Sequence, residues 1–233
     1  MVDYITLRDN DSIALLNDMN VTKPTIKITA DPALGLCVAD IGTGRAILKK
    51  YGLGENEKFF CVSVRKWKNM AGAVRDFALI CENAYNTHGL VPVFIPMQYH
   101  KDIGISREIC ARLSCPFVLL DESLTEDEIM AVMSLSECAL AVRLHMLIFG
   151  VLNGLAVLGV NYDPKVLSFV EFASLPLCLM NDDFDGKKSI AKAQEFFENR
   201  ENIANALSEK LTDFKSSAKV NAKIAVELMD NER

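Results

Sequence analysis

The stretch CALAVRLHMLIFGVLNGLAVLGV, residues 138–160, decides the fold. A short apolar run (138–142) is followed by a segment of helical length, HMLIFGVLN, and then by a second apolar run, LAVLGV (155–160). Strands that are apolar on both faces and joined through a helix belong to a parallel sheet covered on both sides. Arg143 and His145 interrupt this apolar stretch where strand gives way to helix. A cation in such surroundings is unfavourable unless something negative meets it.

The same alternation continues in both directions. Upstream, KFFCVSV (58–64), LVPVFI (90–95) and PFVLL (116–120) read as strands. Between and after them, helices are expected with the stripe Met70, Val74, Phe77, Cys81 and Tyr85, near 103–113, and over 125–136. Thr125 with Glu128 forms a capping-box signature for the last of these. Downstream, Asp163-Pro164 marks a helix start, LCLM (177–180) a final strand, and the remainder from about Lys187 a helix. Its stripe runs through Ile203, Leu207, Leu211, Phe214, Ala218, Ala222, Ala225 and Met229. At the front, DYITL (3–7) and TIKIT (25–29) flank a short helix over 10–20. A loop containing Gly42-Thr43-Gly44 then leads to a short helix near 45–51. These features give a doubly wound α/β domain with a long C-terminal helix.

Composition narrows the function. The 233 residues are half apolar and carry a net charge of −6 without a basic run, which excludes nucleic acid as a general partner. A local cationic pocket for a small anion remains compatible with an acidic chain. Seven cysteines at 37, 61, 81, 110, 115, 138 and 178 show no CxxC, so no metal site is expected and the buried ones read as small core residues. The N-terminus has no signal-peptide pattern, and Arg143 and His145 break the best candidate membrane span, so a cytoplasmic protein is expected.

In doubly wound sheets ligands bind beyond the carboxyl ends of the strands. The candidates there are Arg65, Gln98, His100, Asp121, Glu122, Arg143, His145, Asn161 and Tyr162. In an extended segment Arg143 and His145 share a face while Leu144 points away. The helix that follows offers free N–H groups for an anion, and Arg65 can add a second cation. Plainer readings compete: His145 as a core histidine, Arg143 paired with Asp121 or Glu122, and His100 as a solvated loop residue. GTGRA (42–46) has a phosphate-loop flavour but lacks the full spacing.

The segment AVRLHMLIFGVLNGLAVLGVNYDPKVLSFVE (141–171) resembles the Arg-Leu-His region of polysaccharide pyruvyl transferases. LRDNDSIALL (7–16), ITADPAL (28–34) and VSVRKW (62–67) resemble further segments of that family in the same order. The resemblance, which runs from residue 5 to about 172, implies a two-domain, glycosyltransferase-B-like enzyme. Such enzymes transfer the pyruvyl group of phosphoenolpyruvate to a sugar of a cell-wall or surface glycan, forming a pyruvate ketal. By match to the motif, Arg143, Leu144 and His145 contact phosphoenolpyruvate, Arg65 is a third member of the donor site, and His145 is the general acid. The resemblance implies no cofactor beyond the donor substrate, and a glycan or lipid-linked saccharide as acceptor. Residues 1–40 match only the end of the family's N-terminal domain, 41–186 its donor-binding domain, and 187–233 a helical segment packing back on the N-terminal part. Self-association, or a separately encoded N-terminal half, is therefore expected. Two alternatives stand beside this reading. One is a nucleotide-sugar glycosyltransferase using Asp121 and Glu122 for a ribose; the other is a non-catalytic binding or scaffold protein.

Overall fold

The computed structural model describes residues 2–37, 40–67, 70–176 and 178–231. The chain begins with strand β1 (Tyr4–Leu7), helix α1 (Asp11–Asp18) and strand β2 (Thr25–Ile28), followed by a 3-10 turn over Pro32–Gly35 and helix α2 (Ile41–Lys50). Then come β3 (Phe59–Ser63), α3 (Ala71–His88), β4 (Val91–Phe94), α4 (Tyr99–Cys110), β5 (Val118–Leu119) and α5 (Glu126–Met133). The second half holds β6 (Cys138–Ala141), α6 (Leu144–Leu152), β7 (Ala156–Asn161), α7 (Pro164–Ala173), β8 (Cys178–Met180) and α8 (Lys188–Asn231).

Strands β3 to β8 form one six-stranded parallel sheet in the order β5-β4-β3-β6-β7-β8. The chain winds outward from β3 to β5, returns to the centre and winds outward again from β6 to β8. This is the doubly wound, Rossmann-like order, and its direction reverses between β3 and β6. Every residue of β3, β4 and β6 is buried, as the continuous apolar runs require of strands covered on both faces. Phe60, Phe77, Phe94, Phe196 and Phe197 fill the interior between sheet and helices, each worth about 1.5–3 kcal/mol in burial. The Phe60 and Phe197 rings meet edge-on at 5.1 Å, which fixes α8 against the central strand.

Local chemistry explains where elements start and where expectation shifts. Thr125 and Glu128 make both bonds of the capping box at the start of α5, and Asp163 caps α7 ahead of Pro164. Gly42-Thr43-Gly44 is not a loop. Asp40 accepts the Thr43 N–H and starts α2 at Ile41, so GTGRA lies inside a helix and cannot wrap a phosphate. Gly44 is needed there because a Cβ would stand 2.2 Å from the Ala131 carbonyl oxygen, where α2 crosses α5. Helix α4 begins at Tyr99 rather than near 103, since the Asp102 carboxylate accepts the Gln98 N–H and caps the first turn. Strand β5 shrinks to two residues at the sheet edge, where it has one neighbour and Phe117 is exposed. Leu177, expected to open the last strand, lies outside the described residues.

The 44 residues of α8 reach about 66 Å. Its start is anchored by the fully buried Asp76 of α3, which accepts from the Gly186 N–H at 2.8 Å and the Ser189 hydroxyl at 2.7 Å. The helix packs on α3 and β7 and then crosses to the 3-10 turn near the N-terminus. There Asn221 bonds the Thr29 hydroxyl at 2.9 Å and the Ala30 carbonyl at 3.0 Å. The expected stripe holds through Ile203, Leu207, Phe214 and Ala218, then departs from expectation. Asn221 and Ile224 carry the last contacts, while Ala222, Ala225 and Met229 are exposed because the helix has outrun its support. The front of the chain is sparsely covered too. Strands β1 and β2 pair in parallel, but neither they nor α1 contain a fully buried residue, and Leu15 and Met19 are exposed.

Candidate donor-binding cleft

The winding reverses between β3 and β6, which stay paired up to Ser63 and Ala141 at their carboxyl ends. A cleft of about 510 Å³ opens on this side, lined by residues that include Arg8, Gln98, Glu126, Arg143, Leu144, His145, Tyr162 and Lys165. The central element is the β6–α6 junction. Arg143 is the extended residue before α6, its N–H donating to the Ser63 hydroxyl of β3 at 3.4 Å. No side chain caps α6, so its first N–H groups are available at the cleft. His145 is exposed, with Phe149 one turn along the helix at 6.3 Å between rings.

Leu144 is already helical and lines the cleft itself. The alternation argument that sent it the opposite way from Arg143 and His145 therefore fails. It is the start of a helix, not strand geometry, that brings all three to one place.

Arg143 has a partner the sequence reading did not find. Its Nε donates to Asp102 Oδ2 at 3.0 Å and its Nη2 donates to Asp102 Oδ1, while Nη1 has no protein partner among the described residues. Asp121 and Glu122, the partners weighed from sequence, lie elsewhere. Glu122 binds Lys50 at 2.7 Å, and neither acid lines the cleft. They follow the edge strand β5, two strands away from the reversal. His100 turns outward against Tyr99 and Asn161 contacts the Met180 sulfur at 3.7 Å, so neither reaches the cleft either.

Arg65 stands behind the cleft wall. Its Nη1 donates to the Tyr162 hydroxyl at 2.8 Å, and its guanidinium carbon lies 4.8 Å from that ring's centre. Tyr162 itself faces the cleft. Two further cations were missed. Arg8, at the end of β1, binds Asp31 at 2.8 Å, and Lys165, in the first turn of α7, sits 3.4 Å from Asp163. Both stand in segments already quoted for the resemblance, LRDNDSIALL and YDPKV, which was the signal available. Glu126 is the one carboxylate among the lining residues, and Arg8, Arg143 and Lys165 are each paired with an acid set behind the lining. Among the described residues no three His, Cys, Asp or Glu side chains gather as a metal site. No described helix is long and apolar enough to cross a membrane.

A six-stranded, doubly wound sheet with its cleft at the reversal and a final helix crossing back matches the C-terminal half of a glycosyltransferase-B-type fold. Solved structures bear out that class. WaaG, a glycosyltransferase involved in lipopolysaccharide biosynthesis, aligns at a TM-score of 0.61 with 13% identity, covering 94% of this chain and 61% of that one. The UDP-forming trehalose-phosphate synthase from Burkholderia xenovorans aligns at 0.60 with 13% identity, covering 96% and 60%. The wall teichoic acid polymerase TagF aligns at 0.53 with 12% identity, covering 98% and 58%. At such identities the likeness is one of fold alone, and the chain spans about 60% of the length of the first two structures. No functionally curated protein matches it in sequence. The polysaccharide pyruvyl transferase family model matches residues 2–164, and the chain belongs to that family.

Proposed function

We propose that the cleft binds phosphoenolpyruvate and that the chain serves the transfer of its pyruvyl group to a sugar of a cell-wall or surface polysaccharide. The observation that carries this reading is the uncapped start of α6 beside Arg143, in a cleft that also holds Arg8, Lys165 and His145. Phosphoenolpyruvate carries a phosphate and a carboxylate. A helix N-terminus and an arginine fork suit such groups. Arg65 supports the site through Tyr162. Asp121 and Glu122, the carboxylates a nucleotide ribose would use, lie outside the cleft, which favours this reading over a nucleotide-sugar transferase.

Ketal formation adds a proton to the methylene carbon of the donor, leaving its central carbon open to attack. Two acceptor hydroxyls bond to that carbon, and the carbon–oxygen bond to phosphate breaks. One hydroxyl proton replaces the proton spent on the methylene carbon, and the other leaves with phosphate. An imidazole is suited to deliver the first proton, and His145 is the histidine that lines the cleft. On this reading no cofactor takes part, the acceptor is a glycan or lipid-linked saccharide, and the reaction is cytoplasmic. Residues 1–40 lie on the acceptor side, 41–186 form the donor domain, and 187–233 the return helix. Thermal-shift titration tests the donor, because a ligand of the folded state raises its stability with concentration. Phosphoenolpyruvate is expected to stabilise the chain, and a nucleotide sugar is not. The reverse pattern would overturn the proposal.

A further inference from the structure

We infer that Asp102 is the positioning residue of the donor site and acts through Arg143, an inference that rests on the phosphoenolpyruvate reading of the cleft. The Asp102 side chain is completely buried, and that of Arg143 is only 12% exposed. A carboxylate so placed persists only when its lone pairs are matched. Three donors match it: Nε and Nη2 of Arg143, and the backbone N–H of Gln98 at 2.9 Å.

The partners explain the purpose. Gln98 follows β4 and Arg143 follows β6, with β3 between those strands in the sheet, and both residues line the cleft. One carboxylate thus ties two walls together across the point where the winding reverses. Gripping Nε and Nη2 fixes the guanidinium plane, and with it the direction of the Nη1 group left for a ligand. A buried ion pair is weak evidence for stability, since apolar residues of similar size commonly do as well. Its place beside an uncapped helix start, in the ligand crevice of the fold, assigns it to orientation.

The test is a double-mutant cycle of wild type, Asp102→Asn, Arg143→Gln and the double variant. Phosphoenolpyruvate is titrated by calorimetry and each melting temperature recorded. Asp102→Asn is expected to lower phosphoenolpyruvate affinity about 10- to 100-fold, by analogy with the loss on removing the groups that orient metal-binding side chains. In the Arg143→Gln background the same change is expected to have almost no effect, because the residue it acts through is gone. An equal loss in both backgrounds overturns the inference, as does equal binding by wild type and Asp102→Asn, which leaves the donor reading standing. Absence of binding by wild type overturns the donor reading and this inference with it. Should Asp102→Asn fail to fold, the double variant leaves neither charge buried alone. Its affinity then supports the inference if equal to that of Arg143→Gln and overturns it if different.

Discussion

Replacing Arg143 by lysine keeps a cation opposite Asp102 but removes the planar fork. Phosphoenolpyruvate affinity should therefore fall further than stability does, whereas alanine, which strands the buried carboxylate, should cost about 3–5 kcal/mol of folding free energy. Calorimetry and denaturant melts on the two variants separate these effects; unchanged donor binding in the lysine variant would make Arg143 purely structural. For His145→Gln, turnover in an active assembly should drop roughly 10²–10⁴-fold with a smaller change in donor affinity. A loss confined to affinity reassigns His145 to binding. The cysteines give an independent check on burial. Burial pushes the Cys61 and Cys110 thiols up to about 12, so they remain protonated in mildly alkaline solution, while Cys37 is exposed. Brief alkylation followed by mass spectrometry should mark Cys37 well before Cys61 or Cys110. At this scale the sequence reveals Arg143 and His145 because each is polar in an apolar run. Asp102 was not legible, for its partner lies 41 positions away and only the tertiary fold brings them together. Tyr162 is legible from its strand end, whereas nothing in the sequence pattern sets Lys165 and Arg8 apart from other charged residues.

Close helix contacts govern what single elements tolerate. Gly44→Ala places a methyl carbon against the Ala131 backbone, which cannot swing aside as a side chain can, so α2 must lift from α5. A loss of about 1–3 kcal/mol is expected, measured by chemical denaturation; a neutral result would mean that the two helices slide freely. The central strands could be read directly because a buried parallel strand writes its environment as an unbroken apolar run. Edge strand β5 could not, since half of its surroundings are solvent. The end of the α8 stripe escaped for a related reason. Periodicity tells which face of a helix is apolar, not where the surface beneath it stops.

For the molecule as a whole, exposed apolar side chains include Leu15 of α1 and Met19 just after it, and Val226, Leu228 and Met229 near the end of α8. Self-association at micromolar concentration is expected. Light scattering that shows a monomer, together with no binding of a hydrophobic dye, would refute this. The bonds from Asn221 to Thr29 and Ala30 have a different consequence, one of timing. They join residues 192 and 191 positions apart. A ribosome adding roughly 5–20 residues per second leaves Thr29 waiting roughly 10–40 s for its last partner to be made. Throughout that interval the β1–β2 pair is held only by itself and by earlier-made neighbours, open to pairing with another nascent chain. A synonymous codon change that slows synthesis between these positions would lengthen the exposure without altering a single side chain.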